Sequence, residues 1–261
     1  MASPCNPPAT RLIALGASNL ARNALALLDA ARSHANGPVE VHAALGRGRS
    51  FGISSRLLGR GLAGIDGCGI WRGLEGLAPR PTTALVMDVG NDVLYGIEVP
   101  RILAWVEHAL KRLRRHAQRI AVVGLPMATL ATLPAWRFTL VRSVLVPSCR
   151  LTLPQVLAAA ELLQAGLEPL AQRYGASFHT LPASWYGFDP MHFQRRFART
   201  AVRQWLGVPL DAGAAGRSFD GLLGRLAFLF ARPAQRTLLG QVQQHAQPAR
   251  TWPCGTTLSL W

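Results

Sequence analysis

A chain of 261 residues, 49% hydrophobic and 16% charged with a mean hydropathy of +0.18, holds enough apolar material for a large core, which excludes disorder as its dominant state. Arginine or proline interrupts every apolar run before the roughly 18 to 20 residues that a membrane-spanning helix needs, the late run from Leu222 to Phe230 included. The formal charge is +15, and Lys111 is the single lysine among 28 basic residues; a P-loop lysine, a Schiff-base lysine and the tyrosine–lysine pair of short-chain dehydrogenases are therefore excluded, since Lys111 falls in a basic helical run.

The first predicted strand is Arg11–Leu15, followed by a small-residue turn and a helix over Leu20–Ala31. Val39–Leu45 alternates as a second strand, Gly46–Gly52 turns the chain, and Ile53–Leu77 reads as mixed helix and loop. A third strand, Thr83–Val89, is apolar on both faces. Pro100–Arg115 is an amphipathic helix, with Ile102, Trp105, Val106, Ala109, Leu110 and Leu113 on one side and the basic residues largely off it. Ile120–Gly124 is the fourth strand. A proline-punctuated helical stretch and a long helix, Leu153–Tyr174, lead to a fifth strand at Ala176–Leu181 and a closing helix over Pro190–Leu206 with proline at its start. Strands alternating with helices imply an α/β protein with a five-stranded parallel sheet covered on both faces.

Ligands on such sheets bind beyond the carboxyl ends of the strands, so the polar residues that follow each apolar run are the ones that matter. They are Gly16-Ala17-Ser18-Asn19, the loop Gly46 to Gly52, Gly90-Asn91-Asp92, and Trp185 to His192. Acyl transfer to serine needs a nucleophile, an imidazole, a carboxylate to orient it and donors for the oxyanion. Ser18, His192, Asp189 and Asn91 supply those types, with Asp189 and His192 three apart at the expected helix start. Backbone N–H groups of Ser18 and of a glycine in the second loop can add donors. Trp185, Tyr186 and Phe188 either wall a pocket or fill the core.

These segments resemble, in order, the four blocks of the SGNH hydrolases, also called GDSL esterases and lipases: Gly16-Ala17-Ser18, Gly48 or Gly46, Gly90-Asn91-Asp92 in a G-x-N-D form, and Asp189-Pro190-Met191-His192 as D-x-x-H. The resemblance covers about Arg11 to Gly207. It implies a three-layer α/β/α flavodoxin-like sandwich with a five-stranded parallel sheet, and an esterase with Ser18 as nucleophile, His192 as general base and then acid, Asp189 as its orienter, and an oxyanion hole from Asn91, the loop glycine and the Ser18 amide. Ala17 stands where the family has the aspartate of G-D-S. Gly48-Arg49-Ser50 resembles the G-R-S form of carbohydrate acetylesterases in the family, which favours Gly48 over Gly46.

Two rival readings follow from the same residues. Gly48-Arg49-Ser50-Phe51-Gly52 is also a G-x-S-x-G, the nucleophile elbow of α/β-hydrolases, with Ser50 as nucleophile. The +15 charge, the cluster from Lys111 to Arg119 and the arginine-bearing apolar stretch Phe219–Leu239 suggest instead a non-catalytic protein that binds an anionic membrane or nucleic acid. No specific nucleic-acid motif accompanies that charge, so only peripheral association with anionic surfaces is kept beside a small-molecule ester substrate. No cofactor and no metal is implied, because the remaining histidines lack ligand spacing and the four cysteines, Cys5, Cys68, Cys149 and Cys254, form no C-x-x-C pair. With no signal segment at the N-terminus, a cytoplasmic protein with reduced thiols is expected. The expected organisation is an N-terminal segment over 1–10, a hydrolase domain over 11–208 and an extension over 209–261, comprising a linker from Asp211 to Gly216, a helix and a short terminal strand.

Overall fold

The computed structural model describes residues 7–57, 59–209, 218–219 and 221–261. The first six residues, Cys5 among them, and the expected linker Asp211–Gly216 lie outside the described residues.

The elements run β1 (Thr10–Leu15), α1 (Ser18–Arg22), α2 (Ala24–Ala35), β2 (Val39–Ala44), β3 (Ser55–Leu57), β4 (Arg60–Leu62), α3 (Ile70–Leu74), β5 (Thr82–Val86), α4 (Asn91–Leu94) and α5 (Val99–Leu113). They continue with β6 (Arg119–Val123), α6 (Met127–Ala131), α7 (Ala135–Leu145), α8 (Leu153–Arg173), β7 (Ser177–His179) and α9 (Ala198–Leu206). The last are α10 (Leu222–Leu229), β8 (Gln235–Leu238), β9 (Gln241–Gln244), β10 (Arg250–Thr251) and β11 (Thr257–Leu260).

The central sheet has the order β10-β11-β2-β1-β5-β6-β7, and every pairing is parallel except that of β10 with β11. Alternation along each central strand divides the core into two layers. Ile13, Leu15, Ala84, Val86, Ile120 and Val122 face the layer covered by α3, α5 and α8. Leu12, Ala14, Leu85, Met87, Ala121 and Val123 face the layer covered by α2 and α9. Because both faces are covered, β1, β5 and β6 end in continuous apolar runs, as a buried parallel sheet requires. The chain leaves β1 for β2 on one side and returns to β5 on the other, so the loops after β1 and β5 part above the middle of the sheet.

The sheet has seven strands where five were expected. The extra pair comes from the C-terminus: β11 lies parallel to β2, with Leu258 and Leu260 buried against the α2 layer. The stretch Ile53–Leu77 holds a hairpin in addition to its helix, and β3, β4, β8 and β9 form a second, antiparallel sheet of four strands. These strands are short and largely polar, so no hydrophobic alternation announces them. The helix expected from Leu20 divides at Asn23, whose side-chain amide donates to the Asn19 carbonyl (2.8 Å) and competes with the helical ladder. The closing helix begins at Ala198, not Pro190; the intervening residues turn on the Asp189 carboxylate, which accepts from the backbone N–H groups of Met191 (2.9 Å) and His192 (3.2 Å).

Candidate active site

Four loops meet at the carboxyl edge of the central sheet. After β1, Gly16 and Ala17 let the chain turn sharply: a Cβ on Gly16 would lie 2.6 Å from Leu20 and 3.2 Å from the Met87 carbonyl. Ser18 then opens α1. Its Oγ lies 2.9 Å from His192 Nε2, and His192 Nδ1 lies 2.6 Å from Asp189 Oδ2. The three residues thus form a continuous hydrogen-bonded chain from carboxylate through imidazole to hydroxyl. Burial acts to raise the Asp189 pKa, but the hydrogen bond and charge of His192, with two backbone N–H groups, hold it below the ordinary carboxylate value.

The loop around Ser18 is supported from β5. Asp88 Oδ2 accepts the N–H groups of Ala17 (2.9 Å), Asn19 (3.0 Å) and Leu20 (3.3 Å), and Oδ1 accepts the Asn19 side-chain amide (2.8 Å). The Ser18 N–H, in the middle of that series, has no acceptor among the described residues. Asp88 therefore gives the support that Ala17 cannot. It does so from a left-handed backbone conformation, φ 64°, rarely adopted by a non-glycine residue. Burial pushes its carboxyl pKa up, against the lowering effect of the Asn19 side chain, the Ala17 and Leu20 amides and the nearby His192.

Asn19 also joins the serine and histidine loops. Its Nδ2 donates to the Met191 carbonyl (3.0 Å) and its Oδ1 accepts the Phe193 N–H (3.2 Å), so it grips the backbone on both sides of His192.

The second loop, after β2, is held by a buried arginine and a buried serine. Arg49 donates through Nε to the Ala63 carbonyl (3.0 Å), and through Nη1 to the Leu45 carbonyl (3.3 Å) and the Trp261 backbone oxygen. Burial lowers its pKa, and the neighbouring Cys68 opposes that effect. Ser50 donates to the Asp92 carboxylate and accepts from the N–H groups of Gly52 (3.1 Å) and Ile53 (2.9 Å). It is fully buried with no imidazole among its partners, which removes the physical basis for the nucleophile elbow. Asp92 also accepts the Phe51 N–H (2.9 Å), and burial raises its carboxyl to about 6.

Gly46 closes the turn by accepting the Arg49 N–H (3.2 Å). Gly48 adopts φ 64°, its carbonyl accepts the Tyr95 hydroxyl, and its N–H has no acceptor among the described residues. Asn91 starts α4 and reaches across to the Arg49 carbonyl with Nδ2 at 3.4 Å. Of the expected aromatic residues, Trp185 belongs to the core with Phe193 and Trp205, Tyr186 is buried beside an apolar cavity, and Phe188 is exposed against Trp136. Among the described residues, no cluster of three or more His, Cys, Asp or Glu could hold a metal ion, and no helix is long and apolar enough to cross a membrane.

Asp88, Asn19, Arg49 and Tyr95 make hydrogen bonds at this candidate site that the sequence alone does not announce. The one available signal was the position of Asp88 just before Gly90-Asn91-Asp92, which was read as the end of a strand.

No family model matches the chain, and no curated protein matches it by sequence. Solved structures do match in fold. The native aryl esterase of M. smegmatis, 15% identical, superposes over 76% of this chain and 100% of its own with a TM-score of 0.50. Another solved chain, 13% identical, does so over 76% and 96% with a TM-score of 0.52. A carbohydrate acetylesterase family member from Sinorhizobium meliloti, 16% identical, aligns over 76% and 95% at 0.49. The chain has a flavodoxin-like fold and shares it with that aryl esterase.

Proposed function

We propose that this protein is a serine esterase that works through an acyl-enzyme on Ser18. The observation that carries the reading is the Asp189–His192–Ser18 hydrogen-bonded chain, ending beside a Ser18 N–H that has no acceptor among the described residues. Ser18 Oγ attacks the ester carbonyl carbon while His192 Nε2 takes its proton, and the same proton passes to the departing alkoxide oxygen. Water, deprotonated by His192, then attacks the acyl carbon, Ser18 regains its proton, and the carboxylic acid leaves. Asp189 holds the ring in the tautomer that leaves Nε2 free to accept, and stabilises the imidazolium. The negative oxygen of each tetrahedral intermediate is met by the N–H groups of Ser18 and Gly48 and by Asn91 Nδ2. Gly48 is preferred to Gly46 because its left-handed conformation and the Tyr95 hydroxyl on its carbonyl fix the direction of its N–H. The aryl esterase that shares the fold supports an ester as the scissile group.

The reading is tested by fluorophosphonate labelling with peptide mapping of the wild type and of Ser18→Ala, Ser50→Ala and His192→Ala. The expected adduct is on Ser18, persists in Ser50→Ala and is lost in His192→Ala. An adduct on Ser50 would refute it.

A further inference from the structure

The site continues into a cavity of about 90 Å³ enclosed by the turns after β5 and β6 and by α7 and α8. Asn19, Asp88, Asn91 and Met191 are among its lining residues, and Asn19 and Met191 are the chain neighbours of Ser18 and His192. Most of the rest of the wall is hydrocarbon, for Leu125, Leu133, Phe138, Val141, Val156 and Ala160 all line it and all are buried, and the Tyr186 hydroxyl, buried with no partner among the described residues, is a polar exception. The guanidinium of Arg142, also at the wall, lies over the Phe138 ring at 5.8 Å and donates to the Leu151 carbonyl (2.8 Å), while its Nε is buried without a partner.

We infer that this cavity binds the acyl part of the substrate and that the acyl part is a short, unbranched aliphatic chain. The inference rests on the esterase reading of Ser18. A carbonyl oxygen directed at Asn91 leaves the acyl carbon chain at the cavity mouth, and an apolar wall rewards methylene groups and penalises polar ones. At about 90 Å³ the cavity is far smaller than the roughly 300 to 1,000 Å³ of sites for drug-sized ligands, which suits an acyl tail of a few carbons and not a long one. Each buried methylene is worth about fourfold in binding.

The test is kcat/KM for the p-nitrophenyl esters of acetate, butyrate and octanoate and for a monosuccinyl ester, with fluorophosphonate labelling run alongside. Butyrate is expected to exceed acetate about tenfold or more. Val141→Phe should reduce the butyrate-to-acetate ratio about tenfold, and Phe138→Ala should move the optimum toward longer chains. If Val141→Phe does not fold, the wild-type profile and Phe138→Ala still decide. Acetate equal to or better than butyrate, with Ser18 still labelled, overturns the acyl-chain inference and leaves the esterase reading standing. Preference for the succinyl ester also overturns it, and transfers the recognition to Arg142. Neither labelling nor cleavage of any ester removes the esterase reading and this inference with it.

Discussion

Asn19 ties Ser18, the proposed nucleophile, to His192, its proposed base, because its one amide group bonds Asp88 on the serine side and the backbone of Met191 and Phe193 on the histidine side. Alignment of a nucleophile with its base tolerates little displacement, and a shift of about 1 Å can cost on the order of a hundredfold in rate. Asn19→Ala is therefore expected to lower kcat at least about tenfold with a smaller change in KM, and to lower stability by about 1 to 3 kcal/mol through the buried groups left without partners. Steady-state kinetics and thermal melting check both. Asp92 gives a pH prediction of definite sign. Its carboxyl holds its proton up to about pH 6 in the folded protein, above the ordinary aspartate value near 4 that applies when unfolded. The folded state thus binds more protons in that interval, and stability falls as pH rises through it, by about 2 to 3 kcal/mol at most. Asp92→Asn should remove this segment of the stability-against-pH curve; denaturant melts at pH 4, 5, 6 and 7 measure it, and a wild-type curve that rises across the interval would contradict the assignment.

At the scale of elements, the two loops that frame the site are held by backbone proximity as much as by side chains. The N–H groups of Ile65 and Asp66 bond the carbonyls of Ser50 (3.1 Å) and Phe51 (2.8 Å), which brings Gly64 against the backbone of Gly52. A Cβ on Gly64 would lie 2.5 Å from the Gly52 carbonyl carbon, a contact no rotamer change can relieve. Gly64→Ala is expected to move the second loop, lowering the melting temperature and, through the Gly48 N–H, the rate. A variant with wild-type melting and kinetics would refute that coupling. The serine loop shows the complementary device, in which one carboxylate, Asp88, takes up three neighbouring N–H groups and leaves the Ser18 N–H without an acceptor among the described residues. The strain of a left-handed aspartate is sustained there by those bonds.

At the scale of the molecule, the C-terminal residues complete the central sheet. β11 covers the edge of β2, Trp261 stacks on His42 at 6.3 Å and packs against Gly73, and the Trp261 backbone oxygen accepts from the buried Arg49. Removing residues 250–261 would expose the β2 edge and strip Arg49 of an acceptor beside the second loop. The truncated chain is expected to melt well below the full chain and to aggregate more readily, as scanning calorimetry and size-exclusion chromatography would show. Retention of the full melting temperature would mean that β11 adds nothing to the sheet's stability.

The alternation of apolar strands with amphipathic helices was legible from the sequence because a parallel sheet buried on both faces must be written in continuous apolar runs, and Arg11–Leu15, Thr83–Val89 and Ile120–Gly124 are such runs. The rule that sites form at strand ends then selected Ser18, Asn91, Asp189 and His192 before any distance was known. The hairpin β3–β4, the second sheet and the place of β11 were not legible, since short polar strands acquire their order only from partners far along the chain. Nor could sequence assign Asp88, Asn19, Arg49 and Ser50 to the support of this site. Each is a polar group whose role is fixed by bonds to residues 42 or more positions away or by burial, and both exist only once the chain has closed on itself.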